Sequence, residues 1–196
     1  MSVSKLIKPI EKRHSRGYLP HFDAAGFTQF ITFRLADSLP ATIFENLEFK
    51  LKTRQINEIE YHWQLEKALD LGNGPTFLKD ARIAGLVGKA LMKFDSERYQ
   101  LHSWVVMPNH VHLLFTPIDS FTVSNIMHSI KGYTASEANK VLGRSGRFWS
   151  PDYFDRFIRN RAHFSRAKRY IEDNPVKAGL CKTSSEWPWG SSGWRG

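Results

Sequence analysis

Two histidines one strand-period apart carry the strongest chemical signal in this sequence. In Trp104-Val105-Val106-Met107-Pro108-Asn109-His110-Val111-His112-Leu113-Leu114-Phe115, two apolar runs flank Pro108-Asn109. That pair is turn-forming and reads as the corner between two strands. Side chains alternate along a strand, so His110 and His112 leave one face while Val111, Leu113 and Phe115 leave the other. Two imidazoles placed this way can converge on one divalent cation through one ring nitrogen each. The plain alternative is a strand with two half-exposed polar residues. A two-His site keeps coordination positions open for a phosphate oxygen, water and a third protein ligand, which suits Lewis-acid activation of a phosphodiester. Structural zinc is disfavoured, because Cys181 is the single cysteine and a closed Cys/His set is missing. Carboxylates are sparse around the hairpin, which speaks against a carboxylate-rich two-metal nuclease.

Phosphoryl chemistry at such a site needs a nucleophile. A tyrosine, with an ordinary pKa near 10, attacks phosphorus well only where a base or cation helps it lose its proton. Of the six tyrosines, Tyr170 is the best placed. The spacing predicts a helix from about residue 160 to the vicinity of 173, with Asn160 as N-cap and Phe164, Ala167 and Ile171 as its buried stripe. His163, Arg166, Tyr170 and Asn174 fall on an adjoining stripe, and Asn174, four residues on, meets the same metal if the helix continues so far. Tyr133 and Tyr153 compete for the role but lack an amide four residues later, where Glu137 and Phe157 stand.

Charge points to the substrate. The chain of 196 residues carries 28 Lys and Arg against 19 Asp and Glu, a net of +9. Between residues 131 and 170 there are ten basic residues and three acidic ones. Clustering of this kind is the footprint of a polyanion partner, nucleic acid above all. With 41% hydrophobic and 24% charged residues the composition is that of a globular protein. No run approaches the roughly 18 apolar residues of a membrane span, and the N-terminus lacks the apolar core of a signal peptide. The expectation is a cytoplasmic, nucleoid-associated protein.

The remaining elements must position the two histidines and the tyrosine. Residues 1–21 show no apolar periodicity and read as a basic arm. A strand is expected over 27–35, with Ile31, Phe33 and Leu35 on one face. One long helix is expected over 41–70, a break at 72–75, and a second helix over 79–94. The hairpin 99–107 and 110–116 follows, then a helix over 120–142. Arg147-Phe148-Trp149 is a short strand or a loop. Residues 181–196 form a tail whose Trp187 and Trp189 are expected to pack over the sheet. No linker divides the chain, so residues 1–196 read as a single domain. The order implies an α+β fold, a mainly antiparallel sheet with helices packed mainly on one face, compatible with a ferredoxin-like arrangement.

These residues carry a resemblance. The block Trp104-Val-Val-Met-Pro-Asn-His-Val-His-Leu-Leu114 resembles the HUH signature (His, bulky hydrophobe, His) of single-tyrosine transposases. Tyr170-x-x-x-Asn174-Pro-Val-Lys-Ala-Gly-Leu180 is similar to their tyrosine helix. Arg16-Gly-Tyr-Leu-Pro-His21, the strand ending Thr32-Phe-Arg-Leu-Ala-Asp-Ser-Leu-Pro40, Gly143-Arg-Ser-Gly-Arg-Phe-Trp149 and Tyr153-Phe-Asp-Arg156 fit REP-associated tyrosine transposases within that superfamily. The resemblance spans about residues 13–192. It implies a ferredoxin-like fold and a single-strand DNA endonuclease and strand transferase dependent on Mg2+ or Mn2+. Such an enzyme nicks next to palindromic hairpin DNA, leaving a 5′-phosphotyrosine intermediate and a free 3′-OH. His110, His112 and Asn174 carry over as metal ligands and Tyr170 as nucleophile. Pro175 disfavours helical backbone at Asn174, so the helix is expected to stop just before this ligand.

Under this resemblance Arg144, Arg147, Arg156, Arg159 and Arg166 contact the DNA backbone, with Arg13 and Arg16 on the arm. Phe148 and Trp149 are expected to stack on unpaired bases, with core packing as the alternative for Trp149. Relatives include monomers and domain-swapped dimers, so a monomer or homodimer is expected. Two other readings stand beside the nickase: a hairpin-DNA-binding protein on the same fold without catalysis, and a metal-dependent RNA or nucleotide phosphoesterase.

Overall fold

The computed structural model describes residues 12–15, 20–23, 26–72 and 74–195, the first two segments by their backbone alone. Strands β1 (Lys12–Ser15) and β2 (Pro20–Asp23) pair antiparallel within the segment expected to be an arm. β3 (Gln29–Arg34) begins the main sheet. It is followed by helices α1 (Ala41–Lys52), α2 (Glu58–Asp70) and α3 (Ala81–Met92). The hairpin β4 (Tyr99–Val106) and β5 (His110–Pro117) comes next, then α4 (Val123–Val141), β6 (Phe154–Phe157) and α5 (Arg161–Lys177).

The four strands run β4-β5-β3-β6, every neighbouring pair antiparallel. With α3 and α4 as the two crossovers, this is the ferredoxin-like order that the sequence implied. Two apolar layers sandwich the sheet. On one face Ile31, Phe33, Val111, Leu113 and Phe115 pack against Val87 and Leu91 of α3 and Ile126 and Ile130 of α4. The other face carries Phe30, Val105, Met107 and Leu114 against Ala167 and Ile171 of α5. Helices therefore cover both faces rather than mainly one, because Phe30 and Leu114 of the central pair, with Val105 and Met107, give the second face an apolar patch that α5 buries.

Three boundaries differ from expectation for local reasons. The helix expected over 41–70 is two helices. Arg54 takes φ +57, and Asn57 caps α2 by accepting from the amides of Ile59 and Glu60. Glu60 returns a bond to the Asn57 amide at 2.9 Å, completing a capping box. The two helices fold onto each other over a small core of their own, Leu47, Tyr61, Leu65 and Leu69. β6 was not foreseen, since Asp155 and Arg156 break its apolar run at four residues. Its partners on β3 define it.

The third difference concerns α5. It continues through Pro175, so Asn174 is helical after all. Pro175 has no N–H to give to the carbonyl four residues back, which costs the helix one bond. The helix ends cleanly in exchange: Gly179 at φ +70 donates to Val176 and Leu180 donates to the Pro175 carbonyl at 2.9 Å, a Schellman arrangement. The tail then runs along the free edge of β4. Val106 donates to the Trp189 carbonyl at 2.7 Å, Ser191 donates to the Trp104 carbonyl at 2.9 Å, and Trp187 donates to the Val106 carbonyl. Trp189 and Trp194 pack on the α3 side, as expected of the tail.

Candidate metal and nucleophile site

The β3–β5 register sets Thr32 opposite His112 and Arg34 opposite His110. Both histidines point to the α5 side of the sheet, and both are 1% exposed or less. Their Nε2 atoms face each other at 3.0 Å. One tautomer is settled by a neighbour at the hairpin corner. The Asn109 amide donates through Nδ2 to the Leu69 carbonyl at 2.8 Å, which turns Oδ1 toward His110 Nδ1 at 2.7 Å. His110 must then donate from Nδ1, leaving its Nε2 lone pair on the side of His112.

Burial pushes His112 down to about 4, and burial together with the neighbouring His112 holds His110 well below its ordinary 6.5. Both are neutral imidazoles near pH 7, the form that binds metal. Behind His112 lies Glu66 of α2, 6% exposed. Its Oε1 accepts from the Thr32 hydroxyl at 3.0 Å and stands 2.8 Å from His62 Nε2 and 3.4 Å from His112 Nδ1. Thr32 Oγ1 is in turn 2.8 Å from His112 Nδ1. Burial alone would raise the Glu66 carboxyl, but the facing His112, His62 and His110 draw it down to about 2. Glu66 is the charged member of this group.

α5 brings the other half of the site within the same chain. Its buried stripe seats Ala167 and Ile171 on the sheet, which turns Tyr170 and Asn174 toward the histidines. The Tyr170 ring meets His112 edge-on at 5.5 Å between centroids and Phe30 at 5.9 Å. Lys177, two helical turns further and on the same side, holds its Nζ 5.1 Å from the Tyr170 centroid. Asn174 is 3% exposed, its Nδ2 lies 3.3 Å from His112 Nε2, and its Oδ1 is buried without a hydrogen-bond partner.

This donor set fits a divalent cation. An orphaned buried carbonyl oxygen costs about 1–3 kcal/mol, and two imidazole nitrogens crowded together recover their cost when an ion sits between them. Rotating the Asn174 amide would present Oδ1 as a third donor. Among the described residues no three His, Cys, Asp or Glu side chains gather as a ligand set, since the third donor is an amide. A cleft of about 210 Å3, lined by His110, Asn109, Asp70, Lys79 and Leu180, opens beside His110 to solvent.

The expected DNA-contacting residues divide. Arg156 on β6, Arg159, and His163 and Arg166 on α5 stand together: burial first, and then the charges of Arg159 and Arg166, lower Arg156, while His163 is lowered by burial first and then by the three guanidiniums. Arg147 is exposed, while Arg144 lies over the Phe77 ring at 4.6 Å and donates to the Arg147 carbonyl. Trp149 is a correction. It is 4% exposed, packs edge-on to Phe33 and donates from Nε1 to Thr134 Oγ1 at 2.9 Å. Phe148, 2% exposed, is buried with it, so core packing takes both and neither offers a face to a base. Arg16 lies outside the described residues, and of Arg13 only the backbone in β1 is described.

Four residues here were not singled out in the sequence: Thr32, His62, Glu66 and Asn109. Asn109 stood in the quoted corner as a turn former. Thr32 followed from strand alternation, being the polar residue between Ile31 and Phe33. Nothing in the local pattern of α2 marked Glu66.

The ferredoxin-like sheet thus sets a His-hydrophobe-His strand beside a tyrosine-bearing helix. Residues 85–174 match the family described as "Transposase IS200 like". The segment contains both histidines, Tyr170 and, at its last position, Asn174.

The chain is similar to the REP-associated tyrosine transposase of Escherichia coli (strain K12), 31% identical over 101 residues. That alignment covers 50% of this chain and 58% of the relative, so the chain spans under two thirds of its length. A solved REP-associated tyrosine transposase bound to a REP hairpin matches the fold with a TM-score of 0.57 at 21% identity. The match covers 92% of this chain and 82% of that one.

Proposed function

We propose that this chain is a metal-dependent single-strand DNA endonuclease and strand transferase that nicks next to palindromic hairpin DNA. The observation that carries the reading is the meeting of His110 Nε2, His112 Nε2, the buried Asn174 amide and the Tyr170 ring at one spot. The relatives named above, one a REP-associated tyrosine transposase and one bound to a REP hairpin, support hairpin DNA as the substrate.

Under this reading His110, His112 and Asn174 hold Mg2+ or Mn2+. The bound ion supplies positive charge to the non-bridging oxygens of the scissile phosphate. Tyr170 Oη attacks phosphorus as the phenol loses its proton. The new O–P bond forms a 5′-phosphotyrosine, the P–O3′ bond breaks, and the departing oxygen takes a proton to become a free 3′-OH. The 3′-OH can attack in reverse and rejoin strands. Lys177 near the ring favours the phenolate electrostatically. Arg156, Arg159 and Arg166 hold the DNA backbone, with Arg144 and Arg147 on the loop before β6 and Arg13 and Arg16 at the N-terminal end. The protein acts at the nucleoid in the cytoplasm, as a monomer or homodimer.

The test is a hairpin oligonucleotide with a labelled single-stranded flank. Cutting with Mg2+ or Mn2+, none with a chelator, and a denaturation-resistant protein–DNA adduct that Tyr170→Phe abolishes are the expected results. Hairpin binding with no adduct at any metal concentration would replace the nickase by a non-catalytic hairpin-binding protein.

A further inference from the structure

We infer that Glu66 is a positioning residue for the metal site: through the Thr32 hydroxyl it fixes the tautomer of His112 so that the Nε2 lone pair faces Asn174 and His110. Glu66 lies on α2, outside the segment 85–174 that defines the family match. Its role toward the ion rests on the metal reading above, but its role toward His112 does not.

The argument is an accounting of single protons. The Thr32 hydroxyl has one hydrogen and two nearby claimants, Glu66 Oε1 at 3.0 Å and His112 Nδ1 at 2.8 Å. A carboxylate cannot donate, so Thr32 must give its hydrogen to Glu66. The hydroxyl oxygen then accepts from His112, which forces the imidazole proton onto Nδ1. Glu66 Oε1, 3.4 Å from the same Nδ1, favours that proton electrostatically. Asn174 Nδ2, 3.3 Å from His112 Nε2, then has a lone pair to donate to.

Without the carboxylate a closed alternative exists. Thr32 would donate to His112 Nδ1, the imidazole proton would move to Nε2, and Nε2–H would donate to the His110 lone pair 3.0 Å away. That arrangement satisfies both histidines against each other and leaves His112 no lone pair for an ion. The site is thus balanced between two hydrogen-bond patterns, and Glu66 selects the open one. Asn109 performs the same service for His110 through its amide.

The position of Glu66 is built rather than incidental. A carboxylate 6% exposed is costly to bury unless paired. Here one oxygen receives Thr32 and faces His62, whose ring is stacked at 3.5 Å on Phe154 of β6. The helix that delivers Glu66 lies between β3 and α3, with a core shared with α1.

The test reads His112 directly. In metal-free protein with 15N-labelled histidine at neutral pH, long-range proton–nitrogen spectra distinguish Nδ1–H from Nε2–H imidazoles. The parent should show Nδ1–H at His112. Glu66→Gln, isosteric and able to donate to Thr32, should convert His112 wholly or partly to Nε2–H. Glu66→Met, of similar volume and without an acceptor, should do the same, so that misfolding of either variant leaves the other to decide.

Calorimetry with Mn2+ should show both variants binding about 10–100-fold more weakly than the parent. A parent with Nε2–H at His112, or a folded variant that keeps Nδ1–H, overturns the inference whatever the affinities. If the parent binds no Mn2+ while the tautomers behave as stated, the metal reading fails and this one stands.

Discussion

Replacing Asn109 by Ala tests how the hairpin corner supports the site. Asn109 is 1% exposed and makes two buried hydrogen bonds, donating to the Leu69 carbonyl at 2.8 Å and accepting from His110 Nδ1 at 2.7 Å. Alanine removes both partners at once, leaving a buried carbonyl and a buried imidazole N–H unsatisfied. Each such orphan costs about 1–3 kcal/mol, so the variant should lose about 2–6 kcal/mol. For a chain of this size that corresponds to a fall of roughly 4–24 °C in the unfolding midpoint. Urea denaturation followed by tryptophan fluorescence gives the free energy, and a Mn2+ titration of the folded variant gives the second readout. Freed of its acceptor, the His110 proton is no longer pinned to Nδ1, and Mn2+ affinity should fall by about 10–100-fold. A stability loss under about 0.5 kcal/mol, in the range of ordinary surface changes, would refute the reasoning that Asn109 is a buried two-way brace.

Three further outcomes are expected. Tyr170→Phe keeps the ring contacts with Phe30 and His112, so its urea midpoint should stay within the spread of about 0.5 kcal/mol typical of mild changes while the covalent DNA adduct disappears. Asp70→Asn should stabilise the protein at pH 7.5: burial and then the charge of Glu66 raise the Asp70 carboxyl from 3.8 to about 6. Stability tied to its protonated form is complete below about pH 4 and lost as pH rises through 6. The gain should therefore vanish in acid; Asp70 is exposed, so screening limits it to about 1 kcal/mol or less, read by denaturation at several pH values. Asn57→Ala, which removes both capping bonds of α2, should cost about 1 kcal/mol by the same assay.

The parts of the fold that were legible in the sequence are those where one period dominates. The alternation around His110 and His112, the stripe of α3 and the Tyr170 face of α5 all follow from 2.0- or 3.6-residue spacing alone. The parts that were not legible depend on partners distant in the chain. β6 is strand because β3 offers it an edge, and Asn174 is helical despite Pro175 because the Schellman end and the buried seat of α5 outweigh a local preference. The split at residues 53–57 was readable in principle, since Asn57 and Glu60 form a capping-box spacing, but the apolar steps on either side hid it. Trp149 could not be placed from sequence, because a tryptophan beside arginines suits a core and a nucleic-acid face equally. Glu66 shows the limit most clearly: its partners Thr32 and His112 lie 34 residues before it and 46 after it.

The segment bearing Trp187 and Trp189 also decides how this sheet meets its surroundings. An open strand edge is a template for any other chain in extended form. β4 has its edge groups engaged internally, by the amide of Ser191 and the carbonyl of Trp189. A second copy, or a misfolding neighbour, that sought to extend the sheet past β4 would first have to peel this segment away, and with it the anchoring of three indole rings. The protein thus carries its own guard against sheet-to-sheet polymerisation, and cutting the chain after residue 180 should trade a soluble molecule for one that aggregates.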